Sequence, residues 1–141
     1  MQKKVVIVFF AIAILPAQIF FAPSCFAQKE KIDSLKKILP LLHDSARIDC
    51  LNALSEIYLK YYDALRAHFI PATPKYYADV AYKESKRLNY VHGIAESLSC
   101  KGEFEYSHDH FPEAEKFSRE ALYWYKKTTN KKRRTTEPVL H

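Results

Sequence analysis

"AESLSCKGEFEYSHDHFPEAEKFSREAL" (Ala95–Leu122) decides the fold. Gly102, Ala114 and Ala121 stand 12 and 7 apart in it. Two antiparallel helices need small residues at such offsets to cross closely, because a larger side chain at the crossing would hold the backbones apart. The spacing predicts one helix from about Ile94 to Ser107, a turn at "HDHFP", and a last helix from Pro112 to about Lys127. The two glycines of the chain argue against a turn-rich β fold, and ten tyrosines and nine phenylalanines give helices large packing groups.

Working upstream, "NYVHG" reads as a connector, with His92-Gly93 ahead of a helix. Before it, Tyr77, Ala81, Ser85 and Leu88 keep helical spacing from Pro74, a residue suited to a first turn. Ile48, Leu51, Leu54, Ile57 and Tyr58 form another stripe, with Asp44 or Ser45 as its cap. Ile32, Leu35, Leu39 and Leu42 make a leading helix over 28–44, disturbed near its end by Pro40. The fold class is therefore all-α.

The pattern resembles the tetratricopeptide repeat (TPR) family, helix–turn–helix units of about 34 residues that stack into solenoids. With Gly102 at the family's small eighth position, Leu98 takes the apolar fourth. Ala114 and Ala121 take the small twentieth and twenty-seventh, and Phe111 the aromatic before the second helix. Upstream, Leu51, Leu54, Ser55 and Tyr58 take the fourth, seventh, eighth and eleventh positions, and Ala81 the twenty-seventh. About seven extra residues intervene around "AHFIPATP". Lys101, Glu105 and Pro74 depart from the usual leucine, tyrosine and alanine. The resemblance spans 45–128, as two repeats of which the first is degenerate.

The resemblance implies a short stack of helical hairpins acting as a non-catalytic protein-interaction module. First-helix positions two, five, nine, twelve and thirteen would line its groove. These are Asp49, Asn52, Glu56, Leu59 and Lys60 in one repeat, and Glu96, Ser99, Glu103, Tyr106 and Ser107 in the other. Four carboxylates in that set suit a basic or extended peptide, with Tyr106 as an aromatic contact. The basic pair with which some TPR clamps hold C-terminal carboxylates is missing.

The N-terminus reads as a signal peptide over 1–27. Lys3 and Lys4 precede the apolar run Val5–Ala22, and the cut falls near Ala27–Gln28. The alternatives are an uncleaved membrane anchor and a lipid on Cys25, the latter disfavoured by Ala22-Pro23-Ser24. Export to the periplasm or a membrane-associated site follows. The opening resembles exported TPR proteins of Bacteroidetes-type bacteria, many of which continue into a histidine kinase or DNA-binding output. The second reading is accordingly a truncated N-terminal sensor region of a larger signalling protein. Its motive is the loss of apolar period at Asn130, where a third repeat would start; further repeats or a partner chain would then cover the last helix.

Charge adds an exclusion. The formal net charge is +6, yet Gln28–Tyr125 carries 14 Lys/Arg against 15 Asp/Glu. Beyond Lys3 and Lys4, the excess sits from Lys126 to His141, with six Lys/Arg against Glu137; the tail 129–141, with Lys131, Lys132, Arg133 and Arg134, is expected to be frayed. Nucleic-acid binders spread positive charge over a folded surface, so that class is disfavoured. Cys50 and Cys100 fall in helical patterns and read as buried free thiols rather than a disulfide. His108-Asp109-His110 could chelate a metal but lacks further ligands. Cys100 and His108 stand eight apart on one helix, too far to act as nucleophile and base. No cofactor and no enzymatic activity are expected.

Overall fold

The structure, a computed structural model, describes residues 22–136, with side chains from 25 to 129. The basic n-region and most of the apolar run lie outside the described residues; the expected cut after Ala27 falls within the first helix. Five helices make up the described chain: α1 (Ala22–Ile38), α2 (Asp44–Ala64), α3 (Thr73–Arg87), α4 (Val91–Tyr106) and α5 (Phe111–Thr136). There is no strand among them. A 3-10 turn at Leu39–Leu41 carries Pro40 and ends the leading helix early, at Ile38 rather than 44. The reason is that Pro40 brings no N–H to continue the α-helical ladder.

Side-chain pairs fix the helix directions. Arg47 at the start of α2 meets Glu84 near the end of α3, while the Ser55 hydroxyl donates to the Pro74 carbonyl at 2.8 Å. Those two helices are therefore antiparallel. Lys75 with Glu105 and Lys101 with Asp79 make α3 and α4 antiparallel as well. Along α4 and α5, Glu96 meets Tyr125 and Tyr106 meets Phe111, again antiparallel. By contrast, α2 and α4 run parallel: Asp49 pairs with Tyr90, Asn52 with Gly93, and further along the carboxylates of Glu56 and Glu103 lie within each other's field.

Three helix ends close in one way. Arg66, Asn89 and Asp109 take φ of 48°, 52° and 61°. The next N–H then returns to a carbonyl five residues back: Ala67 to Tyr62, Tyr90 to Ser85, His110 to Glu105. A left-handed residue after a helix satisfies its last carbonyls in this manner, and Asn and Asp tolerate the conformation better than most residues. The start of α2 differs from expectation. His43 takes the N-cap with no side-chain hydrogen bond, so neither Asp44 nor Ser45 caps it. Asp44, at φ 50°, instead puts its carboxylate beside the positive helix end.

The core is a row of three clusters. Ile32, Cys50, Leu54 and Ile57 join α1 to α2; Ile48, Leu51 and Ala81 join α2 to α3; Ile94, Leu98 and Ala121 join α4 to α5. Tyr58 is half-buried against the first cluster and stacks on Tyr77 at 5.8 Å. The expected crossing is present. A Cβ on Gly102 would lie 3.4 Å from the Ala114 carbonyl, at the same point of its hairpin where Ser55 meets Pro74. Pro74, a departure from the usual alanine, is thus a buried crossing residue, and its carbonyl is satisfied.

Several expectations are corrected. Phe111 does not pack inside; it is 54% exposed and touches Tyr106 edge-on. Gly93 is no connector but lies inside α4, buried against Ile48 and Ser85. Ala78, passed over in the sequence, is fully buried. The last helix runs to Thr136, well past Lys127, because the stretch lacks the Gly or Pro that would break it.

The two departures at Lys101 and Glu105 have a joint account. Buried Glu105 accepts from Lys75 Nζ at 2.6 Å and pairs with His110 Nδ1 at 2.8 Å. The Lys75 and His110 bonds hold its carboxyl below the usual carboxylate range, against the opposing effect of burial. Folding therefore favours ionised Glu105. This stability is present at neutral pH and is lost as pH falls through the depressed folded-state value. Glu105→Gln is expected to cost about 2 kcal/mol at pH 7, less than a fully enclosed pair because Lys75 and His110 are partly exposed. Chemical denaturation should show that deficit shrinking below about pH 4, near the carboxylate reference value.

Candidate functional site

Parallel α2 and α4 carry the residues expected to line a groove. Asp49 is exposed and accepts from the Tyr90 hydroxyl at 3.0 Å; burial first, then this bond, pushes the Tyr90 hydroxyl up to about 12. Glu56 is exposed and bonded to Lys60 one turn on. On α4, Glu96 accepts from the Tyr125 hydroxyl at 2.8 Å, and half-buried Ser99 lies beside that hydroxyl. Glu103 and Tyr106 are exposed, as is Ser107, whose hydroxyl donates to the Phe104 carbonyl.

Two of the positions expected to line a groove are buried. Asn52 is 4% exposed and donates Nδ2 to the Gly93 carbonyl at 3.4 Å. It fastens the two helices together, because α4 begins early enough to lie directly over it. Leu59 is 8% exposed and lines the floor of the cleft beside Lys60, Ile70 and Glu103.

The remaining carboxylates act on one another. Burial raises the Glu103 carboxyl, Glu56 and Glu96 raise it further, and Lys60 partly offsets them. Glu56, Glu96 and Glu103 therefore share one patch of negative potential. Clefts flank the Glu56–Lys60 pair. One, of about 290 Å³, lies against α1 between Gln28, Lys31 and Ala53; the other, of about 240 Å³, lies between Asp63, Ile70 and Glu103. An extended chain laid along the groove would pass from one to the other across Lys60.

The loop between α2 and α3 borders this groove and is tied down by a residue considered at first as a metal ligand. His108 sets Nδ1 2.9 Å from the Phe104 carbonyl and Nε2 2.9 Å from the Ile70 carbonyl. Its ring also lies 4.2 Å from that of Phe104. With His110 engaged by Glu105, both imidazoles are committed to structural bonds, and no group of His, Cys, Asp or Glu among the described residues is arranged to hold a metal.

Cys50 and Cys100 are buried and unpaired. Burial pushes the Cys100 thiol up to about 12, and the carboxylates of Glu103, Glu96 and Glu56 add to the shift. A thiol so held is the reverse of an activated nucleophile. Among the described residues no helix is long and apolar enough to cross a membrane. Comparison of the chain with protein-family models, with curated proteins and with solved structures finds no match.

Proposed function

We propose that the chain is a non-catalytic interaction module of the TPR type, acting outside the cytoplasm, whose groove takes a basic, extended peptide. The observation that carries this reading is the shared field of Glu56, Glu96 and Glu103 on two parallel helices. The equivalent crossings Ser55–Pro74 and Gly102–Ala114 support the repeat register, and with it the assignment of α2 and α4 as groove-forming helices. Lys60 neutralises part of the patch in the free chain. A ligand cation would replace it at Glu56, so binding is an exchange of ion pairs rather than a simple addition.

Titration calorimetry with a Lys/Arg-rich decapeptide tests the proposal. Reversing both groove charges, Glu56→Lys with Glu103→Lys, should weaken binding at least tenfold and flatten its dependence on salt. Both side chains are exposed, so the fold should survive. Because the Glu103 carboxyl is raised, affinity should already decline as pH drops toward the upper carboxylate range, with proton release on binding there. Unchanged affinity in the reversed variant would remove the groove from the account.

A further inference from the structure

A second surface follows from comparing the two hairpins position by position. The crossings place Pro74 with Ala114 and Ser55 with Gly102, so Lys75, Asp79 and Tyr82 of α3 correspond to Glu115, Arg119 and Leu122 of α5. In the first hairpin that face is covered by α4. Lys101 pairs with Asp79 at 2.8 Å and lies over the Tyr82 ring, and Glu105 pairs with Lys75 at 2.6 Å. In the second hairpin no helix among the described residues covers the corresponding face. Leu122 is 53% and Tyr106 66% exposed, where the counterpart of Tyr106, Leu59, is 8% exposed. A cleft of about 480 Å³ opens there between α4 and α5. Glu115 and Arg119, one turn apart, pair with each other at 2.6 Å.

The charges on this face are exchanged relative to the first hairpin: acid stands for Lys75 and base for Asp79. The geometry points to a docking site for an amphipathic helix of another protein that carries an acidic residue four positions before a basic one. The acidic residue would meet Arg119 as Lys101 meets Asp79, and the basic one Glu115 as Glu105 meets Lys75. An acid placed four residues ahead of a base is also the favourable order within a helix, so such a segment is preformed for the site. Its apolar side would cover Leu122 and Tyr106. This surface adjoins the acidic groove, since Glu103 borders both clefts, but its charged pair Glu115–Arg119 lies outside that groove.

The probe is a synthetic peptide of the 89–110 sequence with Lys101→Glu and Glu105→Lys, compared with the same peptide unswapped. Each is titrated into the isotope-labelled full chain while amide resonances are followed. The swapped peptide should shift Tyr106, Ser118 and Leu122 and bind at least tenfold more tightly than the unswapped one. The chain variant Glu115→Lys with Arg119→Glu should invert that preference; both side chains are more than half exposed, so folding is not at stake. Charge reversal at Glu56 alone, which borders the groove but not this cleft, should leave this binding unchanged and so separates it from the groove. Absence of shifts at millimolar peptide, or equal affinity of the two peptides, would overturn the proposal. Concentration-dependent self-association of the chain through the same amides would assign the face to a second copy and likewise overturn it.

Discussion

Gly93→Ala should lower the stability of the chain by about 3 kcal/mol, although alanine is the better helix former by roughly 1 kcal/mol. The added methyl would meet Ser85 Oγ and Tyr90 Cδ1 at 2.5 Å and Ile48 Cγ2 at 2.8 Å. Those atoms belong to three different segments, and Ile48 and Ser85 are fully buried, so no single side chain can turn away. Relief requires α4 to shift off α2 and α3, which breaks the Asn52–Gly93 bond and the hairpin interface together. A thermal melt should show the midpoint falling by roughly 12 °C. Gly102→Ala is the matched control. Its methyl would meet the Ser118 hydroxyl at 3.0 Å, which can rotate on an exposed residue, and the Ala114 carbonyl and Ser118 nitrogen at 3.4 and 3.5 Å, ordinary contact distances. That variant should be close to neutral. Equal losses from the two substitutions would mean that α4 does not sit as deeply on the first hairpin as described.

The second large effect is expected at Leu54→Ala. Leu54 is fully buried where α1 docks on α2, among Ile32, Cys50 and Ile57. Truncation removes apolar contacts and leaves a cavity, at a cost of about 2–5 kcal/mol. The upper half of that range is expected if the cluster cannot collapse, since Cys50 and Ile57 are held by the helix that carries Leu54. Urea denaturation should show a lower midpoint. A reduced slope as well would indicate that α1 separates before the rest unfolds. A loss below 1 kcal/mol would mean that the leading helix contributes no core.

The helices were legible in the chain because small residues at crossings and apolar stripes are local signals. Gly102, Ala114 and Ala121 sit where their spacing places them, and Pro74 starts α3. What escaped depended on the relation between hairpins. Gly93 reads as a turn glycine until α4 is known to begin at Val91; then it is the point of closest approach. Asn52 has the correct helical angle for a groove residue, but the early start of α4 covers it. Phe111 opens α5 at an exposed position with its ring edge-on to Tyr106, which helical spacing alone does not announce. Lys101 and Glu105 look like departures in isolation, yet with Asp79 and Lys75 they form two ion pairs across one interface. Nothing in a single helix announces such a pairing. Asp49, Glu56, Lys60, Glu96, Glu103 and Tyr106, expected to line a groove, lie at or near the surface, and exposure of that kind depends on angle about one helix axis.

Hydrogen–deuterium exchange of the full chain, with and without a Lys/Arg-rich decapeptide, tests the central claim most directly. If α2 and α4 form one acidic groove, the peptide should slow exchange in both helices around Glu56 and Glu103 and in the loop near Ile70, while the middle of α3 is unaffected. Protection confined to α3, or none at saturating peptide, would contradict the account.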